Sequence, residues 1–122
     1  MKLEKVELRH LSIPLKDPFT TSTETKDHIE HVLVTVFGEG LKGYGECTCN
    51  QTPYYMYETT ETAWYFLSQF IVPHGVGSEV ENIEDLLKNK WYKAVRANHF
   101  AKAGLELAVW DLLARAEGKS LS

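Results

Sequence analysis

Apolar residues in the first third of the chain recur at every second position, the spacing of a strand with one buried face. His31 to Phe37 shows this most clearly. Val32, Val34 and Val36 share one face, Leu33 and Phe37 the other, and the β-branched content favours an extended backbone. Residues 1–16 also read as strand, with Val6 and Leu8 on one parity and Leu11, Ile13 and Leu15 on the opposite one. The slip around Arg9-His10 predicts a bulge or a switch of buried face, and Pro14 favours an edge or a strand end. Gly38-Glu39-Gly40 turns the chain, and Gly43-Tyr44-Gly45-Glu46 returns it as a glycine-rich third strand. Asp17–Asp27 and Cys47–Tyr57 carry no such period and read as exposed polar and aromatic loops.

The period then becomes helical. Ala63/Trp64, Leu67 and Phe70/Ile71 mark a first helix, with Glu58 and Glu61 suited to its positive N-terminal end and Pro73 expected to stop it. A second helix is predicted from Ser78 or Asn82, with Ile83, Leu87, Trp91 and Ala94 as its apolar stripe. A third starts after Asn98, an N-cap type residue, and runs to Gly118. Phe100, Gly104, Leu107, Asp111 and Ala114 share one of its faces while Leu105, Val109 and Leu112 cover others, so packing on most sides is expected. Three strands followed by three helices predict an α+β layer: a three-stranded antiparallel sheet over about 1–48 and helices over about 57–118.

The 122 residues suit one domain, and 43% hydrophobic with 25% charged residues is ordinary for a globular protein. A net charge of −4 with interleaved signs argues against nucleic acid and anionic membranes as partners. The longest apolar run is far too short to span a bilayer, and the charged start of the chain does not resemble a targeting peptide. Cys47 and Cys49 are too close for an unstrained disulfide, so free cytoplasmic thiols are expected.

Few residues suggest chemistry. Lys88-Asn89-Lys90 would serve an active site on a strand, but within a helical pattern i and i+2 diverge and the lysines read as solvated. Glu58, Glu61, Glu81, Glu84 and Asp85 fit helix starts, and Glu46 and Asp111 fit buried, hydrogen-bonded structural acids. The paired glycines join two strands, not a strand and a helix, so a turn with a close backbone approach is expected instead of a phosphate loop. The two loops remain open between ordinary solvated segments and recognition loops, although Tyr54, Tyr55 and Tyr57 are more ring than a loop usually carries.

Four motifs in order resemble one family. The opening, Met1 to Ser22, is similar to the start of muconate-lactonizing-type members of the enolase superfamily. Gly43-Tyr44-Gly45-Glu46 resembles a strand of their capping domain, and Ala103 to Leu112 the helix leading into their barrel. Pro53 to Trp64 is similar to the second loop and first helix of the branch that contains o-succinylbenzoate synthases and N-acylamino acid racemases. The resemblance implies that Phe19, Thr20 and Thr21 form one substrate-binding loop and that Pro53, Tyr54 and Tyr55 supply the other. It implies that catalysis sits in a (β/α)₈ barrel of about 250 residues, for which this chain has no room. The catalytic lysines and the acidic Mg²⁺ ligands of that barrel have no counterparts here, and Lys88 and Lys90 are not substitutes.

For the complete enzyme the resemblance implies proton removal alpha to a carboxylate, with Mg²⁺ stabilising the resulting ene-diolate. Dehydration then gives the synthase, in menaquinone biosynthesis; reprotonation gives a racemase or dipeptide epimerase. The expected partners are a small carboxylate substrate, the chain's own barrel and further copies in a homo-oligomer. The expectation for the chain alone is no catalytic residue and no metal. A free-standing binding or assembly domain is the reading from another class.

Overall fold

The structure, a computed structural model, describes residues 1–20, 25–48, 58–95 and 97–118; of Ile13, 15–20, 25–29 and Trp91 it describes the backbone alone. Strands β1 (Lys5–Thr20), β2 (Thr25–Gly38) and β3 (Leu41–Cys47) form an antiparallel sheet in the order β1-β2-β3. Helices follow: α1 (Thr60–Phe66), a π-helical turn (Leu67–Ile71), α2 (Val72–Gly75), α3 (Ile83–Leu87), α4 (Lys90–Ala94) and α5 (His99–Ala116). This is the α+β order that the change of period predicts.

The β2–β3 turn consists of Glu39 and Gly40, both at positive φ (51° and 77°), which matches the right-handed twist of the two strands. Val32, Val34 and Val36 are fully buried on the helix-facing side, opposite Cys47, Gly45 and Gly43. The expected slip at Arg9-His10 is absent. Register runs unbroken from Lys5↔Phe37 to Pro14↔His28, and the shift falls between Pro14 and Phe19. The change of parity has a simpler cause: β1 carries apolar residues on both faces, Val6 and Leu8 against the core and half-buried Leu11 on the other side. Asp17–Asp27 is likewise not all loop, since strand pairing continues through Phe19↔Lys26 and Thr20↔Thr25. Backbone pairing satisfies N–H and C=O groups whatever the side chains, so a polar strand leaves no apolar period to read.

Pro73 does not end the first helix. Val72 N–H bonds Leu67 C=O across the wide turn, and helix continues from Val72 to Gly75. A π turn just upstream leaves Pro73 in the first turn of the next segment, where its missing N–H is least needed. The helix starts with a reciprocal cap: Thr62 N–H donates to Thr59 Oγ1 (3.2 Å) and Thr59 N–H to Thr62 Oγ1 (2.8 Å).

The second helix is two, broken at Lys88-Asn89, and its inward residues are Ile83, Leu86 and Tyr92; Leu87 and Ala94 face solvent. Asn82 and Asp85 cap α3 reciprocally. Lys88 and Lys90 are exposed, as expected of a solvated pair, but they flank a helix break. Burial, and then the Glu106 carboxylate that accepts its hydroxyl, push the Tyr92 phenol well above the ordinary tyrosine range.

Helix α5 forms the floor of the core, burying Ala101, Gly104, Leu105, Ala108, Val109 and Leu112. It is not packed on most sides, because Leu107 and Trp110 remain 44% and 45% exposed. It lies directly on β3. A Cβ on Gly45 would meet Gly104 O at 2.0 Å and one on Gly43 would meet Ala108 O at 2.2 Å. The glycines are therefore a contact requirement, as expected of a close backbone approach.

Two outcomes follow. Gly45→Ala should lower stability by about 3 kcal/mol or more, because helix backbone cannot give way. Gly40→Ala, with open space but a left-handed φ, should cost about 1 kcal/mol; equal denaturation midpoints for the two variants would contradict this. Tyr92 keeps its proton in the fold where an unfolded tyrosine loses it near pH ~10. The native state then binds more protons, so stability falls as pH rises above that value. Tyr92→Phe should flatten the fall between about pH 9 and 11 in urea titrations.

Candidate functional site

The described borders of Asp17–Asp27 and Cys47–Tyr57 lie toward one end of the sheet. Cys47, the last residue of β3, pairs with Val32, and the β1–β2 hairpin continues past that level to Thr20↔Thr25. Phe19 and Thr20 therefore sit by backbone at the hairpin's far end; their side chains, and all of Thr21, Pro53, Tyr54 and Tyr55, lie outside the described residues. The structure brings together the feet of the two segments, and the feet are well defined.

On the helix-facing side, His10 Nε2 lies 3.5 Å from the Glu30 carboxylate, and its ring stands 6.3 Å from that of Trp64 on α1. Thr60 donates its hydroxyl to the Glu30 carbonyl at 3.3 Å, tying the start of α1 to β2. Across β2 and β3, His31 Nδ1 pairs with the Glu46 carboxylate. Glu46 is 45% exposed on its side chain, so it is not the buried structural acid its position after the glycines suggests. Its parity in β3 places it on the outer sheet face, opposite the glycines.

Asp111 does meet that expectation. Its side chain is 15% exposed, accepts the Tyr44 N–H of edge strand β3 at 2.9 Å and holds Arg115 at 3.1 Å. The Arg115 guanidinium in turn lies 5.3 Å from the Tyr44 ring centre.

Glu58 behaves differently from the sequence expectation. It precedes α1, but its carboxylate accepts Phe100 N–H (3.0 and 3.2 Å) and Ala101 N–H (3.4 Å), the first-turn donors of α5. Helix-start electrostatics is the right principle applied to the wrong helix. Asn98 occupies the N-cap position of α5 but makes no side-chain cap bond; it stands in the left-handed region, and Glu58 supplies the acceptor. Thr59 and Thr62 cap α1 by themselves, and nothing local in the sequence assigns the adjacent acid to α5.

Among the described residues, no three His, Cys, Asp or Glu side chains gather as a bound metal would require, so no metal-dependent step is assigned to them. No described helix is long and apolar enough to cross a membrane. An open groove of about 550 Å³ between the helices is lined by Phe70, His74, Asn89, Lys90, Ala94 and Val95, none of which belongs to the segment feet.

Residues 4–122 match the N-terminal domain of the mandelate racemase / muconate lactonizing enzyme family. The chain belongs to that family. Over its full length this N-terminal domain is 42% identical to an o-succinylbenzoate synthase of Geobacillus stearothermophilus, covering 32% of that protein. It is 39% identical over 99% of its length to an N-succinylamino acid racemase of Thermus thermophilus, again covering 32% of the relative. Among solved structures, an enolase-superfamily member from Listeria innocua superposes with a TM-score of 0.90 at 30% identity, over 99% of this chain and 32% of that one. The domain thus spans about a third of the length of the relatives it matches.

For the domain itself, Asp111→Ala should cost about 0.5–1.5 kcal/mol, because it removes the acceptor of an edge-strand N–H together with the partner of Arg115. Asp111→Asn, which keeps an acceptor, should lose less. Equal losses in thermal denaturation would show that the Arg115 pair, not the Tyr44 bond, is what matters.

Proposed function

We propose that this chain is the substrate-capping N-terminal part of an o-succinylbenzoate synthase. The observation that carries the reading is the 42% identity, end to end, with the Geobacillus stearothermophilus synthase. The sheet end described above supports it, since β3 ends at Cys47 on the side toward which the β1–β2 hairpin runs on to Thr20↔Thr25. Phe19, Thr20 and Thr21 from the hairpin tip, with Pro53, Tyr54 and Tyr55 from the second segment, are assigned to the distal group of a small carboxylate substrate. Their work is to exclude water and select that group.

Proton abstraction, and the Mg²⁺ that such chemistry calls for, belong on this reading to the two-thirds of the relatives that the chain does not span. The exposed apolar face of α5, Leu107 and Trp110, is suited to packing against that remainder. A cytoplasmic homo-oligomer serving menaquinone biosynthesis completes the proposal. The second reading, an N-succinylamino acid racemase, is favoured by the 39% identity with the Thermus thermophilus enzyme.

Purified full-length protein should form o-succinylbenzoate with a kcat/KM above that for racemising N-succinylamino acids, while residues 1–122 alone should turn over neither. Racemisation without synthesis would establish the second reading. Loss of both in a folded full-length protein would leave the binding-domain alternative.

A further inference from the structure

We propose that the outer face of the sheet carries a binding site for a small organic carboxylate, centred on Thr35 and built by Arg9, Phe37, Lys42 and Tyr44.

Strand register sets three rungs across the face turned away from α5: Lys5–Phe37–Lys42, Glu7–Thr35–Tyr44 and Arg9–Leu33–Glu46. Alternate residues of a strand share a face, so these side chains all project to one side. Thr35 is the smallest of them and stands at the centre. Longer neighbours around it make a depression of about 260 Å³, whose walls include Glu7, Arg9, Phe37, Lys42 and Tyr44. Pockets for drug-sized ligands run from about 300 to 1,000 Å³, so the ligand here is a small one.

Thr35 lines the depression and is only 6% exposed. Among the described residues its hydroxyl has no hydrogen-bond partner. A buried polar group left unpaired is costly, and a ligand oxygen in the depression would supply the missing bond.

The charges around it are unbalanced. Arg9 Nε holds Glu7 Oε1 at 2.6 Å, and Lys5 Nζ lies 3.9 Å from Glu7 Oε2. Arg9 first, then Lys5 and Lys42, hold the Glu7 carboxyl below the usual carboxylate range, so three cations share one acid. The Lys5 and Lys42 ammonium groups stand 5.0 and 5.3 Å from the Phe37 ring centre. Glu46, the other acid on these rungs, is engaged by His31, and Asp111 beyond the sheet edge by Arg115. Positive charge is therefore in excess at this point of a chain whose net charge is −4. A local field of that sign draws anions to the depression.

Leu33 and Phe37 decide between kinds of anion. They give a hydrated phosphate nothing, whereas a carboxylate on an apolar body uses both halves of the site. Its oxygens meet Arg9, Lys42 and the Thr35 hydroxyl while its body lies on the Phe37 ring. Tyr44, with the Arg115 guanidinium 5.3 Å from its ring centre, forms the wall at the sheet edge.

The test titrates full-length protein with benzoate and, separately, with inorganic phosphate, by isothermal titration calorimetry at low salt. Thr35→Val and Lys42→Gln probe the site, and Lys88→Gln, at an exposed residue outside the sheet, is the control. Benzoate should bind about tenfold more tightly than phosphate, because its ring is buried. Thr35→Val keeps the shape without the hydroxyl and should weaken benzoate about threefold to tenfold. Lys42→Gln should weaken it as much and reduce its salt dependence, with Lys88→Gln unchanged. Without benzoate, Thr35→Val should melt no lower than the unmutated protein, since the lost hydroxyl has no partner in the fold. Absence of benzoate binding, equal affinity for phosphate, or equal benzoate affinity in Thr35→Val and Lys42→Gln would overturn the proposal. So would a lower melting temperature of Thr35→Val, which would show its hydroxyl already bonded. A smaller species in sedimentation of Lys42→Gln would overturn it too, by showing that another copy of the protein covers the face.

Discussion

The contact between α5 and β3 governs the rest of the domain. Helix backbone rests on strand backbone at Gly43 and Gly45, with no side chain between them at either point. Such a contact has no soft component. Leucine against leucine can slide or change rotamer, but a carbonyl 2.0 Å from where a Cβ would stand admits one residue type and one helix position. Asp111 adds direction, because its bond to Tyr44 N–H sets the helix along the edge of the sheet. It also covers a donor that an edge strand would otherwise leave open.

Once α5 is fixed, the remaining elements have defined places. The valines of β2 meet the buried face of the helix, and Tyr92 reaches it from α4 through Glu106. The N-terminal residues run antiparallel to the linker after α2, with Leu3 N–H on Ser78 O (2.9 Å) and Val80 N–H on Met1 O (2.8 Å). Most of these tethers are hydrogen bonds between segments distant in sequence. They add geometric definition to a small core whose apolar contacts alone would tolerate several arrangements.

The sequence was legible where period and burial coincide. The alternation in β2, the glycine pair and the length of the last helix are each direct consequences of one face meeting the core. The loop reading of Asp17–Asp27 misses the pairs Phe19↔Lys26 and Thr20↔Thr25, because strand pairing is a backbone matter and the residues there carry no apolar period. Pro73 misled because a π turn moved it into a tolerated position, and the stripe through Leu87 and Ala94 failed because the helix breaks at Lys88-Asn89. Glu58 was the deeper miss: no local pattern shows that an acid caps a helix 42 residues away. The assignment of six residues to substrate contact rests on family resemblance alone, since composition leaves their loops open.

A platform that presents variable segments needs rigidity at their feet more than in the segments themselves. Here the feet are held by different physics from the core. Apolar packing and the glycine contact fix α5 on the sheet, whereas carboxylates of Glu58, Glu46 and Glu30 fix the places where chain leaves and returns. Apolar packing responds to volume, so altering a segment's bulk would strain the core if the two shared contacts. Charged and hydrogen-bonded feet are local and directional. They hold Glu30, Glu46 and Glu58 by contacts separate from the one at Gly43 and Gly45, so the ends of the sheet and the seat of the helix are set independently.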